Sequence, residues 1–307
     1  MTTRRQPGIY VEILIDAPLE RVWELTQEPG VHQRWDLRFT NIEYLPRPSS
    51  EEPQRFLYET RIGAGLAIRG TGESIATRTA EDGSAISSLR FASDDALSLI
   101  HEGAGYWRYI PTSSGLRFLT WYDYRTRFGR LGYLADRTIF RPLMGWATAW
   151  SFDRMRLWAE HGIPPELSLR MAVIHAMCRT GIAFVWLWHG LVPKLIFKDP
   201  DEQAMLLQAG VGLRWLPWIG GGEILMGILV LALWRWRSLF LLNITLMIGA
   251  LAAVLLRSPA YLSHAFNPMT LNLCVALLAG VGYIVSAQLP SARRCLRVDP
   301  REKDGNG

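Results

Sequence analysis

The chain changes its hydrophobic rhythm near its midpoint. Ile9, Val11, Ile13 and Ile15 alternate with Tyr10, Glu12 and Leu14, the period of two expected of a half-buried strand. That pattern stops at Asp16-Ala17-Pro18, where proline suits a helix start, and a short helix is predicted up to Pro29-Gly30. Residues 38–128 read as successive antiparallel strands, with turn chemistry at Pro46 to Pro53, at Glu81-Asp82-Gly83-Ser84 and at Pro111 to Gly115. In the last strand Phe118, Thr120, Tyr122, Tyr124, Thr126 and Phe128 share one face, and in strand 55–62 so do Phe56, Tyr58, Thr60 and Ile62. The covered faces therefore carry hydroxyls as well as rings. From Leu131 to His161 the spacing turns helical, and Ile139, Leu143, Trp146, Trp150 and Leu157 are expected to face the core. Pro142 either kinks this helix or marks a late start.

The second half holds four long apolar runs, about Thr180–Phe197, Leu216–Trp234, Leu239–Leu256 and Met269–Ala287. Each approaches the roughly 20 residues that cross a bilayer's hydrocarbon layer. Charge supports this division. Met1 to Pro165 carries 20 Arg, no Lys and 20 acidic residues, so the net charge of +5 resides entirely in the second half, at the ends of the apolar runs. That placement argues against a nucleic-acid partner and for a bilayer. Arg235 and Arg237 lie between runs two and three, and Arg293, Arg294, Arg297, Arg301 and Lys303 follow run four, so these sides are expected to face the cytoplasm. Four spans then put the N-terminal half in the cytoplasm too, in keeping with an N-terminus lacking a signal-peptide pattern. The expected location is a bacterial inner membrane, multi-pass, with both termini cytoplasmic. Residues 290–307, Arg-rich and poor in apolar residues, are expected to be a basic disordered tail.

Polar residues interrupt the spans. Arg179, His189, Lys194, Glu223, Asn243, Asn267 and Asn272 each need a partner, a bundle interior or an interface. Arg179 and Lys194 are expected to snorkel from opposite ends of the first span. Glu223, after Gly220-Gly221-Gly222, either forms an intramembrane ion pair with His189 or Lys194 or belongs to a quinone, proton or ligand site. Arg179, His189, Lys194, Glu223, Asn267 and Asn272 form the candidate polar site of the membrane half. Cys178, Cys274 and Cys295 suggest neither a disulfide framework nor a metal site.

Two resemblances rest on these segments. The runs VEILIDAPLERVWELTQEPGVHQRWDLRFTNIEYLP and FRPLMGWATAWSFDRMRLWAE resemble the SRPBCC (START/polyketide cyclase-like) superfamily over roughly residues 8–161. The runs WLWHGLVPKLIFKDPDEQAML, GGGEILMGILVL and RSPAYLSHAFNPMTLNLCVALLAG are similar to the DoxX-like membrane family over roughly 170–289. The first resemblance implies a helix-grip α+β domain, a curved antiparallel sheet around a long terminal helix, with a deep pocket for lipids, polyketides or other hydrophobic molecules. The second implies an all-α four-helix transmembrane bundle. The expected domains are 1–163 for the pocket, 164–289 for the membrane part and 290–307 for the tail.

The expected function is a membrane-tethered binding protein for a hydrophobic molecule that is lipid, polyketide or quinone-like. Trp35, Tyr58, Thr60, Thr120, Tyr122, Tyr124, Trp146 and Trp150 are the candidate pocket residues, and core packing is the other role open to each. A quinone-linked membrane redox subunit is the first alternative. Quinone is then the cofactor candidate, and a redox partner or a nucleotide-binding reductase, of the kind that accompanies DoxX-like segments, the partner. A cyclase or dehydratase is the second alternative. Its titratable candidates His32, Asp36 and His101 show no spacing that places them together, and Asp36 pairs equally well with Arg38 or Arg34 at a rim. No catalytic residue is assigned.

Overall fold

A computed structural model describes residues 7–49, 52–265 and 267–300. The chain forms two compact units, one of residues 7–168 with 290–300 and one of residues 169–289.

The first unit is a seven-stranded antiparallel sheet with helices packed on it. The strands are β1 (Ile9–Ile15), β2 (Asn41–Tyr44), β3 (Gln54–Gly63), β4 (Leu66–Thr79), β5 (Ala85–Ala92), β6 (Ile100–Thr112) and β7 (Gly115–Thr126). Their spatial order is β1-β7-β6-β5-β4-β3-β2, so the meander closes by laying the first strand beside the last. Ile9 pairs with Tyr122 and Ile13 with Phe118, which sets the two predicted apolar faces on the same side. Between β1 and β2 lie α1 (Leu19–Gln27) and α2 (Pro29–Trp35). Trp35 at the end of α2 is fully buried and donates its indole N–H to the Leu25 carbonyl at 2.7 Å.

After β7 the chain enters α3 (Gly129–Ala135), a π-helical turn (Asp136–Phe140) and α4 (Arg141–His161). Pro142 sits in the first turn of α4, but the backbone is already helical through Phe140 and Arg141, so the helical stretch runs through it, with the π-helical turn placed just before the proline. The face of α4 that packs on the sheet differs from the one expected. Gly145, Thr148, Ala149, Ser151, Phe152 and Met155 point inward, whereas Ile139, Leu143 and Trp146 are exposed; of the predicted face, Leu157 is buried and Trp150 is partly buried against the core. Small residues let the helix axis approach the strands closely: a Cβ added at Gly145 would lie 3.7 Å from Ile9 Cγ2.

Residues 290–300 are not the disordered tail that composition suggests. They return to the first unit and bridge its edge strand, with Glu12 and Leu296 exchanging both backbone N–H···O bonds at 2.9 Å. The buried Asp153 carboxylate on α4 accepts from the Ser291 N–H at 2.7 Å and from Arg294 Nη1 at 2.8 Å. Cys295 is buried and donates to the Ala149 carbonyl. This segment caps the unpaired edge of β1, which composition alone cannot reveal. Arg301 and Lys303 lie outside the described residues.

The second unit contains the membrane part. Among the described residues, four helical stretches are long and apolar enough to cross a bilayer: Pro165–Ile196, Leu213–Ala232, Ser238–Arg257 and Pro268–Arg294. Their main helices are α5 (Pro165–His189), α7 (Leu216–Ala232), α8 (Ser238–Arg257) and α9 (Pro268–Val285), with the short α6 (Pro200–Gln208) between the first two. Only 17–28% of each most apolar stretch is buried within the chain, so most apolar side chains face outward, as lipid contact requires. The inner core gathers Cys178, Ile182, Ala183, Met226, Val230, Phe240, Met247, Val275 and Ala279. Glycines set the closest approach. A Cβ on Gly190 would lie 2.6 Å from the Gly220 carbonyl oxygen, and one on Gly220 would lie 2.8 Å from that of Gly190.

Candidate functional site

The first unit encloses a cavity of about 480 Å³ between the curved sheet and α4. Its lining is mostly apolar, from Leu37, Ile68, Leu89, Phe91, Trp107 and Met144 among others. Of the predicted pocket residues, Tyr58, Thr60, Thr120 and Tyr122 line it. The alternation along β3 and β7 places them there, since every second residue points inward.

Four predicted residues do not line it. Trp35 lies beneath, packed on Trp107 and Phe152. Tyr124 donates its hydroxyl to the buried Asp136 carboxylate at 2.7 Å and lies 4.5 Å from the Arg141 guanidinium, fastening the π turn to the sheet. Trp146 and Trp150 stack on each other away from the cavity, and Trp150 also covers the Arg154 guanidinium at 5.2 Å. For these two tryptophans the cause is the inward face of α4 described above.

The inward hydroxyls are already donors to the protein. Thr120 Oγ1 donates to the Tyr106 carbonyl at 3.1 Å, Tyr58 to that of Ala92 at 3.3 Å, and Thr60 to that of Arg38. Thr148 donates to the Met144 carbonyl at 2.8 Å, so Tyr122, 3.0 Å away, donates to Thr148. A hydroxyl has one hydrogen and two lone pairs, so these groups offer acceptor sites to whatever fills the cavity. Burial pushes the Tyr58 phenol up to about 12, which keeps it neutral.

Donors come from a cluster that spacing did not reveal. His32, at the end of α2, and Asp36 are four apart and meet at 3.0 Å through His32 Nε2 and Asp36 Oδ2. Arg38 grips the same carboxylate with two bonds, Nε to Oδ1 at 2.9 Å and Nη2 to Oδ2 at 2.7 Å. His32 and Arg38 both line the cavity, and the guanidinium lies 5.4 Å from the Tyr122 ring. Burial of Asp36 opposes its charge, but the Arg38 guanidinium and the His32 ring hold its carboxyl well below the usual carboxylate range. The bidentate clamp thus fixes a permanent cation in a mainly apolar wall. Arg34 pairs instead with Glu166 at 2.7 Å, and His101 lies beside Arg127. The i,i+4 spacing of His32 and Asp36 was the available signal, and of the two arginines open to Asp36 the structure selects Arg38, at a buried position and not at a rim.

The polar residues of the membrane unit separate into distinct structural roles. Arg179 is fully buried rather than snorkelling, and donates to the Val230 and Trp236 carbonyls at 2.9 and 2.8 Å while lying 4.4 Å from the Phe240 ring. Lys194 is also buried, and its ammonium bridges Glu202 and Glu223 at 3.1 Å each. A π-helical turn over Gly190–Ile196, with Pro193 inside it, brings Lys194 onto α7. His189 is half-buried one residue before that turn. Asn243 accepts the Trp186 indole N–H at 2.6 Å. Asn267 caps α9 through the Thr270 N–H at 3.0 Å, and Asn272 sits half-buried on the same helix.

Residues 183–280 match the DoxX-like family. The uncharacterized membrane protein YndG of Bacillus subtilis (strain 168) is 48% identical over 187 residues, covering 61% of this chain and 69% of that protein. Solved structures similar in shape include TTHA0849 from Thermus thermophilus, at 18% identity and TM-score 0.38, covering 50% of this chain and 99% of that one. They also include a STAR-related lipid transfer protein from Xanthomonas axonopodis (15%, 0.36, 50% and 94%). The Zhui aromatase/cyclase from Streptomyces sp. R1128 is a third (14%, 0.34, 50% and 98%). At these scores the likeness describes shape alone. The chain belongs to the family of the membrane protein YndG, and its four-span half carries a DoxX-like domain.

Proposed function

We propose that this membrane protein is a tethered binding module whose cavity holds a hydrophobic small molecule, lipid, polyketide or quinone-like, bearing a few oxygen atoms. The observation that carries this reading is the cavity of about 480 Å³, within the range of small-molecule sites and mainly apolar, with hydroxyl acceptors on one wall and the Arg38 cation on another. Tyr58, Thr60, Thr120 and Tyr122 then take donors from the ligand, and Arg38 takes a carbonyl, phenol or carboxylate oxygen. The tether holds the cavity near the bilayer in which such molecules partition.

A bacterial inner membrane with the cavity in the cytoplasm fits the arginine placement. The return of residues 290–300 to the first unit supports an even number of crossings, which leaves both ends of the bundle on one side. The His32–Asp36 pair at the cavity wall favours, as a second reading, acid/base chemistry of the cyclase or dehydratase kind. A quinone ligand would join the binding role to a redox partner.

The test is native mass spectrometry of the full chain released from nanodiscs, beside an Ala147→Trp variant that fills the cavity. The expected result is a co-purified hydrophobic molecule in the wild type and its loss in the variant. An empty wild type, or a variant that retains the molecule, overturns the proposal. A quinone spectrum in the released lipid selects the redox form, and a dehydrated or cyclised product selects the enzyme.

A further inference from the structure

Three of the residues that the spacing assigned to the core, Ile139, Leu143 and Trp146, lie on the outside, and Leu131 and Leu134 extend the stripe they form. Leu131 is 79% exposed, Leu134 57%, Ile139 69% and Leu143 53%, and Phe128, Tyr133 and Trp146 are exposed beside them. From Leu131 to Trp146 the spacings are 3, 5, 4 and 3. A gap of five would break a stripe on an α-helix, but here it crosses the π-helical turn Asp136–Phe140, whose i→i+5 geometry keeps Ile139 close to the line of Leu134. The same stretch buries Gly132 and Asp136 on its other side, so it is an amphipathic segment with its apolar face outward.

Charge identifies what covers that face. From Phe128 to Trp146 the acidic residue is Asp136, which is buried and paired with Arg141 at 3.0 Å. The exposed charges are Arg130 and Arg137. Within this stretch the apolar and aromatic side chains are flanked by arginine without exposed acid, and the exposed Asp94 carboxylate beside it is paired with Arg127 at 3.3 Å, a combination that an anionic lipid interface accepts. The chain supplies that interface itself, since the unit continues into the first span and receives the chain back after the fourth. The stripe is also continuous with the cavity: Phe140, Leu143 and Met144 line it, and Leu143 is exposed at the same time.

We propose that the face formed by Leu131, Leu134, Ile139 and Leu143 seats in the headgroup and upper acyl region of the bilayer that the chain spans. Its arginines contact anionic phosphates, and the cavity wall thereby meets the lipid. This seating does not depend on whether the cavity is occupied.

The test uses the full chain in nanodiscs of phosphatidylcholine and phosphatidylglycerol, in a Cys274→Ser background that removes the exposed thiol and leaves the two buried ones. An environment-sensitive fluorophore is placed at Leu131→Cys, Leu134→Cys or Ile139→Cys, with Ser114→Cys in the polar β6–β7 turn as the reference. Acyl-brominated lipid is expected to quench the first three by about twofold or more relative to the reference, as seating 5–10 Å into the interface implies. A Leu131→Glu/Ile139→Glu double variant is expected to abolish quenching at position 134 while circular dichroism stays unchanged, because both side chains are exposed. Labels that behave like the reference overturn the proposal. So do labels whose emission shifts to the blue without quenching, which would mean that protein, such as a second copy, covers the face.

Discussion

Arg179 on the first span donates to the carbonyl of Val230 on the second at 2.9 Å, and both residues are buried. Val230 lies in the last turn of α7, where carbonyls lack helical partners, and the guanidinium satisfies both it and the Trp236 carbonyl beyond the helix end. An arginine that looks like a membrane liability is a helix cap.

Replacement of Arg179 therefore tests the cap. Arg179→Met is expected to cost roughly 2–4 kcal/mol, the scale of charge-assisted bonds broken in a buried setting. Arg179→Lys should not recover it, since one ammonium cannot span both carbonyls in the planar fork geometry. Unfolding of the purified chain in detergent measures both. Equal stability of Arg179→Met and wild type would refute the capping role.

The Asp36–Arg38 clamp predicts an acid limb. An unfolded aspartate takes its proton near pH 3.9, whereas the folded carboxyl is held lower by Arg38 and His32 despite burial. The unfolded state therefore binds the proton first. The pair's contribution is complete above about pH 5 and is lost as pH falls through the folded value. Asp36→Asn is expected to cost about 3 kcal/mol at pH 7 by leaving Arg38 buried and unpaired. Its thermal midpoint should fall less than the wild type's between pH 5 and 3; parallel falls would show that Asp36 is not the titrating group.

The glycine contact between the first two spans predicts a contrast within one triplet. Gly190→Ala and Gly220→Ala both drive a methyl into a facing carbonyl and are expected to destabilise the bundle by about 1–3 kcal/mol. Gly221→Ala meets open space and should be neutral or slightly stabilising, because alanine favours helix by up to about 1 kcal/mol. Thermal unfolding of the three variants in one detergent decides between contact and propensity.

Cys295 reports on the returning C-terminal segment. Burial pushes its thiol up to about 12, so at pH 8 on the order of one molecule in ten thousand carries the thiolate that reacts. The expected outcome is that maleimide leaves Cys295 unmodified in the folded chain and labels it after a Leu296→Pro substitution. Proline removes the N–H that Leu296 donates to Glu12, and with it the strand-edge bond. Peptide mass mapping reads the result, and labelling of the unaltered chain would show the segment detached.

Local periodicity made much of this architecture legible. A period of two predicted the inward faces of β3 and β7, and with them Tyr58, Thr60, Thr120 and Tyr122 on the cavity wall. Run length and charge placement predicted four spans, because the hydrocarbon layer imposes both on the chain directly. Those constraints act along the sequence, so the sequence records them.

Tertiary packing decided the rest. Periodicity marks an apolar stripe on α4 but cannot say whether bulk or closeness to the sheet selects the inner face, and here Gly145, Ala149 and Ser151 won it over Trp146 and Trp150. Nor could composition place the carbonyls that hold Arg179, choose Arg38 over Arg34 for Asp36, or supply the edge strand that orders residues 290–300. Each of these partners was set by close approach in space, whose energy depends on distances between groups that the chain order leaves free.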